Sequence, residues 1–488
     1  MNTNTNIPIG LSFDDVSLIP KHSKILPSQA DLSTHITKDI KLAIPVVSAA
    51  MDTVSEHRLA IALAREGGLG IIHRNCPLDR QIRMVSRVKR SENIVIEKPE
   101  TVSPNATVGE LNARTRETGI SGFPVVDDDN VIQGIVTRRD IWIIEDDAQT
   151  VREIMTPRDR LITAPVGCSQ DEAKTILHEH RIEKLPIIDG AGRLIGLMTS
   201  ADIENRLRYA EASKDDNGRL RVGAAVGVGD AALEAGLALV EAGCDVLTID
   251  AATGHTEHVL KQLERLKSRL PDTPIIAGNV VTVDGATALI DAGAAAIKVG
   301  VGPGSICTTR VIAGVGVPQF SAILAVSAVC REKGIPLIAD GGIRYSGDVV
   351  KALAAGADAV MLGSLLAGTE ESPGKMARWQ GRTFKEYRGM GSAGAMAQGA
   401  RDRYGQEGAN KYVPEGVEAR IPYRGTLADL MFQLMGGVRA GMGYVGARNL
   451  EELRKRAEFV QVTPGGLKES HPHDITITEE PINYPSSW

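Results

Sequence analysis

The sequence predicts an α/β protein whose main part is a (β/α)₈ barrel, the TIM-barrel class, with a second, smaller unit inserted into it. Short apolar runs that end in Gly, Asp or Asn alternate with amphipathic stretches, as in βα units with a parallel sheet. Eight such units favour a closed barrel. Aromatic residues make up only 3 % of the chain, whereas Ala, Val, Ile and Gly abound, as expected where helices cover both faces of parallel strands.

The eight apolar runs predict strands over residues 44–48, 69–73, 221–225, 246–250, 274–278, 296–300, 336–340 and 359–363. The amphipathic stretches between them predict helices that include residues 230–242, 258–270, 320–333 and 346–355. In such barrels the chemistry lies on the loops that follow the carboxyl ends of the strands. We therefore expect the functional residues directly after these runs.

A different unit interrupts the barrel pattern at residues 94–207 and occurs twice. Each copy predicts a β-hairpin around a polar turn, followed by Thr-x-x-Asp at a helix start. The pairs that recur at an offset of 62 are Pro124/Pro186, Gly134/Gly196, Thr137/Thr199 and Asp140/Asp202. The repeat resembles a tandem CBS pair, or Bateman domain. The predicted organisation is thus a first barrel part (1–93), a regulatory insert (94–207) and a second barrel part (208–488).

The resemblance to CBS pairs implies a purine nucleotide of the ATP or GTP type between the two copies, which would regulate the catalytic barrel. Thr137, Asp140, Thr199 and Asp202 are the candidate contacts, with the two aspartates on ribose hydroxyls. In the alternative interpretation, these aspartates only cap or brace helices. The sequence leaves both alternatives open.

Composition excludes several function classes. A net charge of -6 and a pI near 6.0 disfavour a general nucleic-acid binder. No apolar run approaches the length of a membrane span, and the start lacks a basic segment followed by an apolar one, so we expect a cytoplasmic protein without membrane contact. The five cysteines contain no CxxC and should be free thiols, and the ten histidines form no zinc-binding pattern.

The loop at residues 300–310 is the strongest candidate for reaction chemistry. It places three glycines and a proline before Ser305, Cys307, Thr308 and Thr309, so its backbone can approach a ligand closely and expose N–H and C=O groups. A thiolate is the nucleophilic form of cysteine, and such a polar loop favours it. We expect Cys307 to be the nucleophile and the other four cysteines to be structural.

Two glycine-containing segments follow the seventh and eighth predicted strands, where barrels commonly bind phosphate. Gly341, Gly342 and Gly363 leave backbone N–H groups accessible at helix starts, and such groups hold an anion without Lys or Arg. Flavin and sugar-phosphate barrels share this feature. These segments therefore predict a phosphate site, but not which phosphate it holds.

Together, the segments resemble the inosine-5′-monophosphate dehydrogenase family, in its bacterial form with the CBS insert, over essentially the whole chain. The segments that carry the resemblance are Ser48-Ala-Ala-Met-Asp-Thr53, Gly278-Asn-Val280, residues 300–310, Ala339-Asp-Gly-Gly342, Gly363-Ser364, Tyr387-Arg-Gly-Met-Gly-Ser392, Asp402-Arg-Tyr404 and Pro414-Glu-Gly416. The family oxidises inosine monophosphate (IMP) to xanthosine monophosphate with NAD⁺, a step of guanine nucleotide biosynthesis. This resemblance implies that Cys307 adds to C2 of the purine, that hydride leaves for NAD⁺, and that water hydrolyses the thioimidate.

The resemblance also implies a role for each matched residue. Met51 and Glu415 would flank or bond the hypoxanthine. The phosphate and ribose would be held by Ser305, Asp340, Gly341, Gly342, Gly363, Ser364, Tyr387, Arg388, Gly389, Met390 and Gly391. Cofactor contacts would come from Asp250, Asn279, Gly300, Val301 and Gly302. After Asp250 the sequence reads Ala-Ala-Thr-Gly-His-Thr, which departs from the run of hydroxyl or histidine side chains expected there. No GxGxxG follows the first strand, so NAD⁺ would lie across the barrel mouth.

A Gly- and Ala-rich, poorly periodic segment at residues 391–421 predicts a mobile flap that carries Arg403 and Tyr404. The resemblance gives Arg403 the role of base for the hydrolytic water, although an arginine pKa above about 12 makes the neutral form scarce. Our hypothesis is that the closed flap desolvates and orients Arg403, with Thr309 and Glu415 as a parallel proton route. Alternatively, Arg403 only binds the closed flap electrostatically.

The resemblance further implies a monovalent cation, K⁺, on carbonyls of Gly302, Gly304 and Cys307, completed by Glu469, Ser470 and His471 from the tail of a neighbouring subunit. A shared site of this kind implies a homotetramer, with an octamer as a further alternative.

Three other functions compete. A guanosine-monophosphate reductase would share the cysteine loop, but the CBS insert and Arg403-Tyr404 argue against it. A flavin-dependent hydroxyacid oxidase would use the segment at 340–342 for flavin phosphate. A nucleotide-sensing scaffold would act through the CBS pair alone.

Overall fold

The computed structural model describes residues 7–91, 96, 99–406 and 411–484, apart from the side chains at positions 202 and 205–207. The chain divides into two compact units, Met1–Ser91 with Glu211–Trp488, and Glu92–Ala210.

The first unit is built on eight parallel strands, which are β1 (Val46–Ser48), β2 (Gly70–Ile72), β3 (Val222–Val226), β4 (Val246–Ile249), β5 (Ile275–Val280), β6 (Ala296–Val299), β7 (Leu337–Asp340) and β8 (Ala359–Leu362). Their order is β1-β8-β7-β6-β5-β4-β3-β2, and a parallel bridge between Val47 and Leu69 connects β1 to β2. The strands therefore close into a barrel. Each predicted strand is confirmed to within about two residues at either end, the usual uncertainty of strand ends.

Helices cover the outside of the barrel. They are α1 (His57–Arg65), α2 (Leu78–Arg90), α3 (Asp230–Glu241), α4 (Glu257–Arg269), α5 (Val283–Asp291), α6 (Gln319–Lys333), α7 (Ser346–Ala354) and α8 (Leu427–Val445). Thr256 and Thr282 start α4 and α5 by accepting a backbone N–H with their hydroxyls, which satisfies a donor that the helix leaves free. The predicted helices correspond to α3, α4, α6 and α7.

Side chains fill the interior of the barrel. Val47, Ile71, Ala225, Ile276 and Ile338 form one fully buried cluster with their counterparts on the other strands. A short hairpin, Thr34–His35 with Lys41–Leu42, adds Ile36, Ile40 and Leu42 to this cluster. The hairpin leads directly into β1, so it closes the amino-terminal end of the barrel and leaves the carboxyl ends of the strands for ligands.

The remaining elements of this unit surround the barrel. A three-stranded antiparallel sheet, Met376–Trp379, Arg382–Arg388 and Glu418–Pro422, follows β8 and was not predicted. The predicted flap is not wholly irregular, because it contains the short helices Ala393–Ala395, Met396–Ala400 and Asp402–Tyr404 and ends in the third strand of this sheet. The other elements are Phe13–Asp15, Val16–Leu18, Pro27–Gln29, Thr309–Ile312, Ser364–Ala367, Leu450–Arg456, Phe459–Gln461 and Pro464–Glu469.

The second unit contains both predicted hairpins. Gly122–Val126 pairs with Ile132–Thr137, and Lys184–Ile188 pairs with Leu194–Thr199. A helix follows each hairpin directly, Arg138–Ile141 in the first copy and Ser200–Arg208 in the second. The other elements are Val108–Thr118, Val151–Ile154, Thr156–Pro157, Arg158–Arg160, Ala164–Pro165 and Gln170–Glu179. The two copies of the sequence repeat thus have the same local structure.

No helix in the described part of the chain is long and apolar enough to cross a membrane.

Candidate active site

The cysteine loop follows β6 at the carboxyl end of the barrel, and its path requires glycine. Gly300 and Gly302 have positive φ angles of 146° and 82°. A Cβ on Gly300 would lie 2.2 Å from the carbonyl oxygen of Asp340, and one on Gly302 would lie 2.5 Å from Cγ of Arg310. These contacts leave no room for a side chain, so the loop packs closely against the carboxyl end of β7 and against its own Arg310.

Cys307 stands at one end of a hydrogen-bonded chain. Its Sγ lies 3.2 Å from the Thr309 hydroxyl, which donates to the Glu415 carboxylate at 2.8 Å. The backbone holds the same groups together. The Thr308 N–H donates to the carbonyl of Glu415, and Cys307 and Gly416 form an isolated antiparallel β-bridge. A thiol, a hydroxyl and a carboxylate are therefore aligned, although 106 residues separate Thr309 from Glu415.

The other four thiols differ from Cys307 in their surroundings. Burial raises the pKa of Cys76 to about 11 and the pKa values of Cys244 and Cys330 to about 12. Burial also raises the pKa of Cys168, which lies in the other unit. These four thiols remain protonated near neutral pH, which is consistent with a structural role.

The two glycine segments lie beside the cysteine loop. Gly341 and Gly342 follow β7 with positive φ angles of 93° and 82°, and a Cβ on Gly341 would lie 2.9 Å from Cγ of Pro303. A helix begins after Gly363, and a Cβ on that glycine would lie 3.1 Å from the hydroxyl of Tyr387. Burial raises the pKa of Tyr387 to about 12, against the opposing effect of its hydrogen bond with Ser305. The Tyr387 hydroxyl is therefore a neutral donor at physiological pH.

One cavity connects these groups. Its lining includes the following predicted residues: Met51, Asp250, Asn279, Gly300, Val301, Gly302, Gly304, Ser305, Cys307, Thr309, Asp340, Gly341, Gly342, Gly363, Ser364, Tyr387, Gly389, Met390, Gly391, Arg403, Tyr404 and Glu415. A second cavity shares Asn279, Val301, Thr309, Arg403 and Glu415 with it. Thr253, His255, Thr256 and His258 line this extension, so it offers hydroxyl and imidazole groups. The two cavities together can hold an elongated ligand that begins next to Cys307.

Arg388 is predicted as a substrate ligand, but its side chain points elsewhere. Its guanidinium donates to Asp52 and, at 2.5 Å, to Gln398. The carboxylate of Asp52 raises the pKa of Arg388. Arg388 therefore connects the segment after β1 to the helix Met396–Ala400 and is absent from the residues that line the cavity.

Four charged side chains meet at the flap side of the cavity. Arg403 forms an ion pair with Asp250, and Arg74 contacts both Asp250 and Asp402. Burial opposes the charge on Arg403, but the Asp250 carboxylate outweighs it and raises the pKa of Arg403 above its ordinary value. Burial likewise opposes the charge on Asp250, but Arg403 and Arg74 hold the pKa of this carboxyl below its usual range. In this arrangement Arg403 carries a proton and Asp250 does not.

Sequence reasoning missed Arg74, Asp402 as a contact of Arg74, and Lys298. Lys298 is 3 % exposed on β6, and its ammonium donates to the side chains of Asn279 and Asp340. The amide of Asn279 in turn donates to Asp340 at 2.9 Å and to the carbonyl of Gly300 at 2.7 Å. A lysine inside a run of apolar strand residues is the one signal that could have indicated this cluster.

Of the predicted cation residues, Gly302, Gly304 and Cys307 line this cavity, whereas Glu469, Ser470 and His471 do not. The predicted regulatory residues belong to the second unit. The Gly304 carbonyl accepts the Cys307 N–H at 3.0 Å, and Glu469 ends the helix Pro464–Glu469. The Ser470 hydroxyl donates to the Gly466 carbonyl, while the His471 ring contacts the Tyr484 hydroxyl at 2.7 Å. In the insert, the Asp140 carboxylate accepts the N–H and the hydroxyl of Thr137. Thr199 ends the strand of the second hairpin, and the side chain of Asp202 lies outside the described residues.

The Asp140 contacts correspond to the helix-capping interpretation. Both contacts are to Thr137, three residues before Asp140 at the start of the helix.

Comparison with known proteins adds a family to this geometry. Residues 10–473 match the family model described as the IMP dehydrogenase / GMP reductase domain. The inosine-5′-monophosphate dehydrogenases of Aquifex aeolicus and Escherichia coli are 57 % and 52 % identical to the chain. The Aquifex match covers 97 % of both chains, and the Escherichia match covers 97 % of this chain and 98 % of its own.

A GMP reductase from Trypanosoma brucei, solved in complex with guanosine 5′-monophosphate, superposes with a TM-score of 0.91 at 41 % identity. The match covers 98 % of this chain and all of that one. This coverage includes residues 92–210, so the expectation that the insert argues against a reductase is wrong.

Proposed function

The chain belongs to the IMP dehydrogenase / GMP reductase family, and from this premise we propose that it oxidises inosine 5′-monophosphate to xanthosine 5′-monophosphate with NAD⁺, in guanine nucleotide synthesis. The observation that carries the proposal is the alignment of Cys307, Thr309 and Glu415 opposite Arg403 and Asp250 in one cavity. A nucleophile that forms a covalent adduct needs a second set of groups that direct water onto it.

The purine nucleotide would lie between the cysteine loop and the segments after β7 and β8. Gly341, Gly342, Gly363 and Ser364 supply backbone and hydroxyl donors for the phosphate, and Ser305 and Tyr387 add hydroxyl groups. Asp340, fixed by Asn279 and Lys298, is placed to accept from ribose hydroxyls. Met51 and Glu415 would contact the base, and Gly389, Met390 and Gly391 would complete the wall.

Oxidation begins when the Cys307 thiolate adds to C2 of the purine, which breaks the ring C=N π bond. NAD⁺ supplies the acceptor for the hydride that then leaves C2. Asp250, Asn279 and residues 300–302 line the cavity where the cofactor would lie, and the second cavity extends it past His255 and His258. The expected product of this step is xanthosine monophosphate bound to Cys307 as a thioimidate.

Hydrolysis requires the flap. Asp250 is paired with Arg403 in this structure, so Arg403 occupies a carboxylate oxygen that would otherwise accept cofactor hydroxyls. We infer that the reduced cofactor leaves first and that Arg403 and Tyr404 then occupy its place. Arg403 would orient the water that attacks C2, while the C–S bond breaks and Cys307 leaves as thiolate.

The proton of that water needs an acceptor. Because Asp250 stabilises the protonated guanidinium, Arg403 is a poor acceptor while this pair is intact. The Thr309 hydroxyl lies between Cys307 and the Glu415 carboxylate and can pass a proton to it. While the pair between Arg403 and Asp250 is intact, we therefore assign the proton of the attacking water to the route from Thr309 to Glu415. Once that pair is broken, Arg403 would be the base.

The finer assignments extend this proposal. Carbonyls of Gly302, Gly304 and Cys307 suit a weakly hydrated monovalent cation such as K⁺, with Glu469, Ser470 and His471 of a neighbouring subunit completing it in a homotetramer or octamer. The insert would bind purine nucleotides and act as the regulatory unit, with Thr137, Asp140, Thr199 and Asp202 as its candidate contacts.

A GMP reductase is the second candidate, because a reductase has the same fold over the whole chain at 41 % identity. The dehydrogenase is favoured by relatives at 51–57 % identity over nearly their full length. It is also favoured by Arg403 and Tyr404, which line the same cavity as the cysteine loop, because a reductase releases ammonia instead of hydrolysing a thioimidate.

The test is reduced-cofactor absorbance at 340 nm with IMP, NAD⁺ and K⁺, for the wild type and Cys307→Ala. The proposal expects NADH formation that the substitution abolishes. Cys244→Ala is the matched control, because Cys244 is buried away from the cavity and should be dispensable for turnover. Absence of NADH formation, together with NADPH oxidation on addition of guanosine monophosphate, would reverse the assignment.

A further inference from the structure

A second ion pair connects the flap to the barrel, and neither the sequence motifs nor the proposed reaction uses it. Arg74 lies just after β2 and donates to both carboxylate oxygens of Asp402, at 2.6 and 2.9 Å. The side chains of Arg74 and Asp402 are only 16 % and 22 % exposed. Bidentate pairs between arginine and a carboxylate are among the stronger and more directional contacts in proteins.

The charges on the two sides are complementary. The barrel contributes Arg74 and Asp250, which are themselves in contact at 3.3 Å, and the flap contributes Asp402 and Arg403. Each side carries one positive and one negative group. Closing the flap therefore buries no unpaired charge, and opening it leaves Arg74 paired with Asp250, so neither state has the large penalty of an isolated buried ion.

The surrounding backbone is shaped to this pair. Gly227 follows β3, and a Cβ at this position would lie 3.0 Å from both Nη1 of Arg74 and Oδ2 of Asp402. The Ala252 N–H donates to the carbonyl of Arg403 at 3.1 Å, so the same contact region also holds the flap backbone. A larger residue at 227 would push directly against the ion pair.

We propose that Arg74 and Asp402 are positioning residues that latch the flap closed, and so set the balance between cofactor access to Asp250 and hydrolysis of the adduct. The proposal rests on the proposed function, because it concerns the order of the same two steps. The latch acts through Arg403, which it places next to Asp250, and does not itself touch the reacting atoms.

The first experiment measures whether the flap is held closed, and it needs no catalytic turnover. In the full-length protein, hydrogen exchange of the Ala252 amide reports whether the Arg403 carbonyl is bound to it. We expect Asp402→Asn and Arg74→Gln each to speed this exchange at least about tenfold, since a buried charge pair has lost one partner. Arg74→Lys keeps the positive charge but cannot donate to both carboxylate oxygens with a planar guanidinium. Its Ala252 exchange rate should therefore lie between those of Arg74→Gln and the wild type.

The second experiment separates the two chemical steps. Stopped-flow absorbance at 340 nm measures hydride transfer, the steady state measures turnover, and mass spectrometry of quenched enzyme measures the adduct on Cys307. For Asp402→Asn we expect a hydride phase near that of the wild type, slower turnover, more adduct, and inhibition by excess NAD⁺ at lower concentration. The double variant, Arg74→Gln with Asp402→Asn, should turn over no more slowly than the slower of the two single variants, because each substitution removes the same contact.

Arg265 and Asp230 provide the matched control, since they form an exposed ion pair at 2.5 Å between α4 and α3. Arg265→Gln and Asp230→Asn should leave Ala252 exchange and both kinetic phases unchanged. Gly227→Ala retains Arg74 and Asp402 but places a Cβ 3.0 Å from both Nη1 of Arg74 and Oδ2 of Asp402, so it should speed Ala252 exchange in the same direction as Asp402→Asn, by a smaller factor.

Unchanged Ala252 exchange in Asp402→Asn and Gly227→Ala would overturn the latch, as would hydride transfer and turnover slowed in parallel. A wild type that forms no NADH from IMP would instead refute the proposed function. The exchange measurement would still decide whether the latch exists.

Discussion

Lys298 offers a sharp test of how the cavity is held in shape. Its ammonium is buried on β6 between the Asn279 amide oxygen and the Asp340 carboxylate, which lies 3.4 Å away. Lys298→Met keeps the length and apolar stem of the side chain but removes the charge. Asp340 retains one donor, the Asn279 amide at 2.9 Å, so its carboxylate would be held by one contact instead of two.

The size of the effect follows from this geometry. Two unit charges 3.4 Å apart at an effective dielectric of about 20 attract by about 5 kcal/mol. Desolvation of the buried lysine offsets roughly half of this, since buried ion pairs lose much of their Coulomb energy to dehydration. The remaining 2–3 kcal/mol, about 30- to 150-fold, should be lost from kcat/KM for IMP.

The assay is initial-rate NADH formation at 340 nm with varied IMP, alongside thermal unfolding to verify the fold. Lys298→Arg is the matched variant, because it keeps the charge and should retain most of kcat/KM. If Lys298→Met were folded and kept kcat/KM within about threefold, less than 1 kcal/mol, Asp340 would not depend on the lysine and the reasoning would fail.

Three further expectations concern other groups. Arg403→Gln should leave the NADH burst intact but slow turnover by at least about 30-fold, or about 2 kcal/mol, because the guanidinium that pairs with Asp250 and would orient the water is lost. A burst slowed equally would contradict this. Because the pKa of Asp250 is held below its usual range, its contribution to stability is present above the unfolded pKa near 3.9 and lost as pH falls through the lower folded value. Asp250→Asn should therefore shift the thermal midpoint at pH 5 to 8, and the shift should shrink as the pH falls below about 3.9; a shift that stays constant with pH would contradict this. Alkylation of the native protein at pH 8, mapped by mass spectrometry, should modify Cys307 before Cys244, because burial raises the pKa of Cys244 to about 12. IMP should protect Cys307 from the reagent. Faster labelling of Cys244 than of Cys307 would refute this prediction.

The buried lysine of α2 gives a prediction on stability alone. Lys89 donates to Asp215 and to Asp245 at 2.9 Å, and all three side chains are largely buried. Lys89→Met would leave Asp245 without its ion-pair partner and Asp215 with Arg219 alone, so the free energy of unfolding should fall by about 3–5 kcal/mol. Denaturant unfolding would measure it, with Lys261→Met on the exposed pair with Glu257 as control. A loss equal to that of the control would contradict the argument.

Local pattern was enough to predict much of this protein. The eight strands and the exterior helices follow from short apolar runs that alternate with amphipathic stretches, because burial on both faces imposes that pattern residue by residue. Gly300 and Gly302 of the cysteine loop and Gly341 after β7 have positive φ angles and leave no room for a Cβ, so glycine is required at these positions of the two predicted segments. The candidate nucleophile and the candidate phosphate segments could therefore be named from residues that are neighbours in the chain.

Only the tertiary structure decided the charged partners. Arg74 and Asp402 are 328 positions apart, and no local pattern marks them. Thr309 and Glu415 are 106 positions apart, and only the family resemblance links them in the sequence. Arg388 matched a motif, yet its side chain turns to Asp52, 336 positions away. The antiparallel sheet was also missed, because its third strand, Glu418–Pro422, lies far along the chain from its partner. Propensity and periodicity act over a few residues, whereas the pairing of buried charges depends on which distant segments the closed barrel brings together.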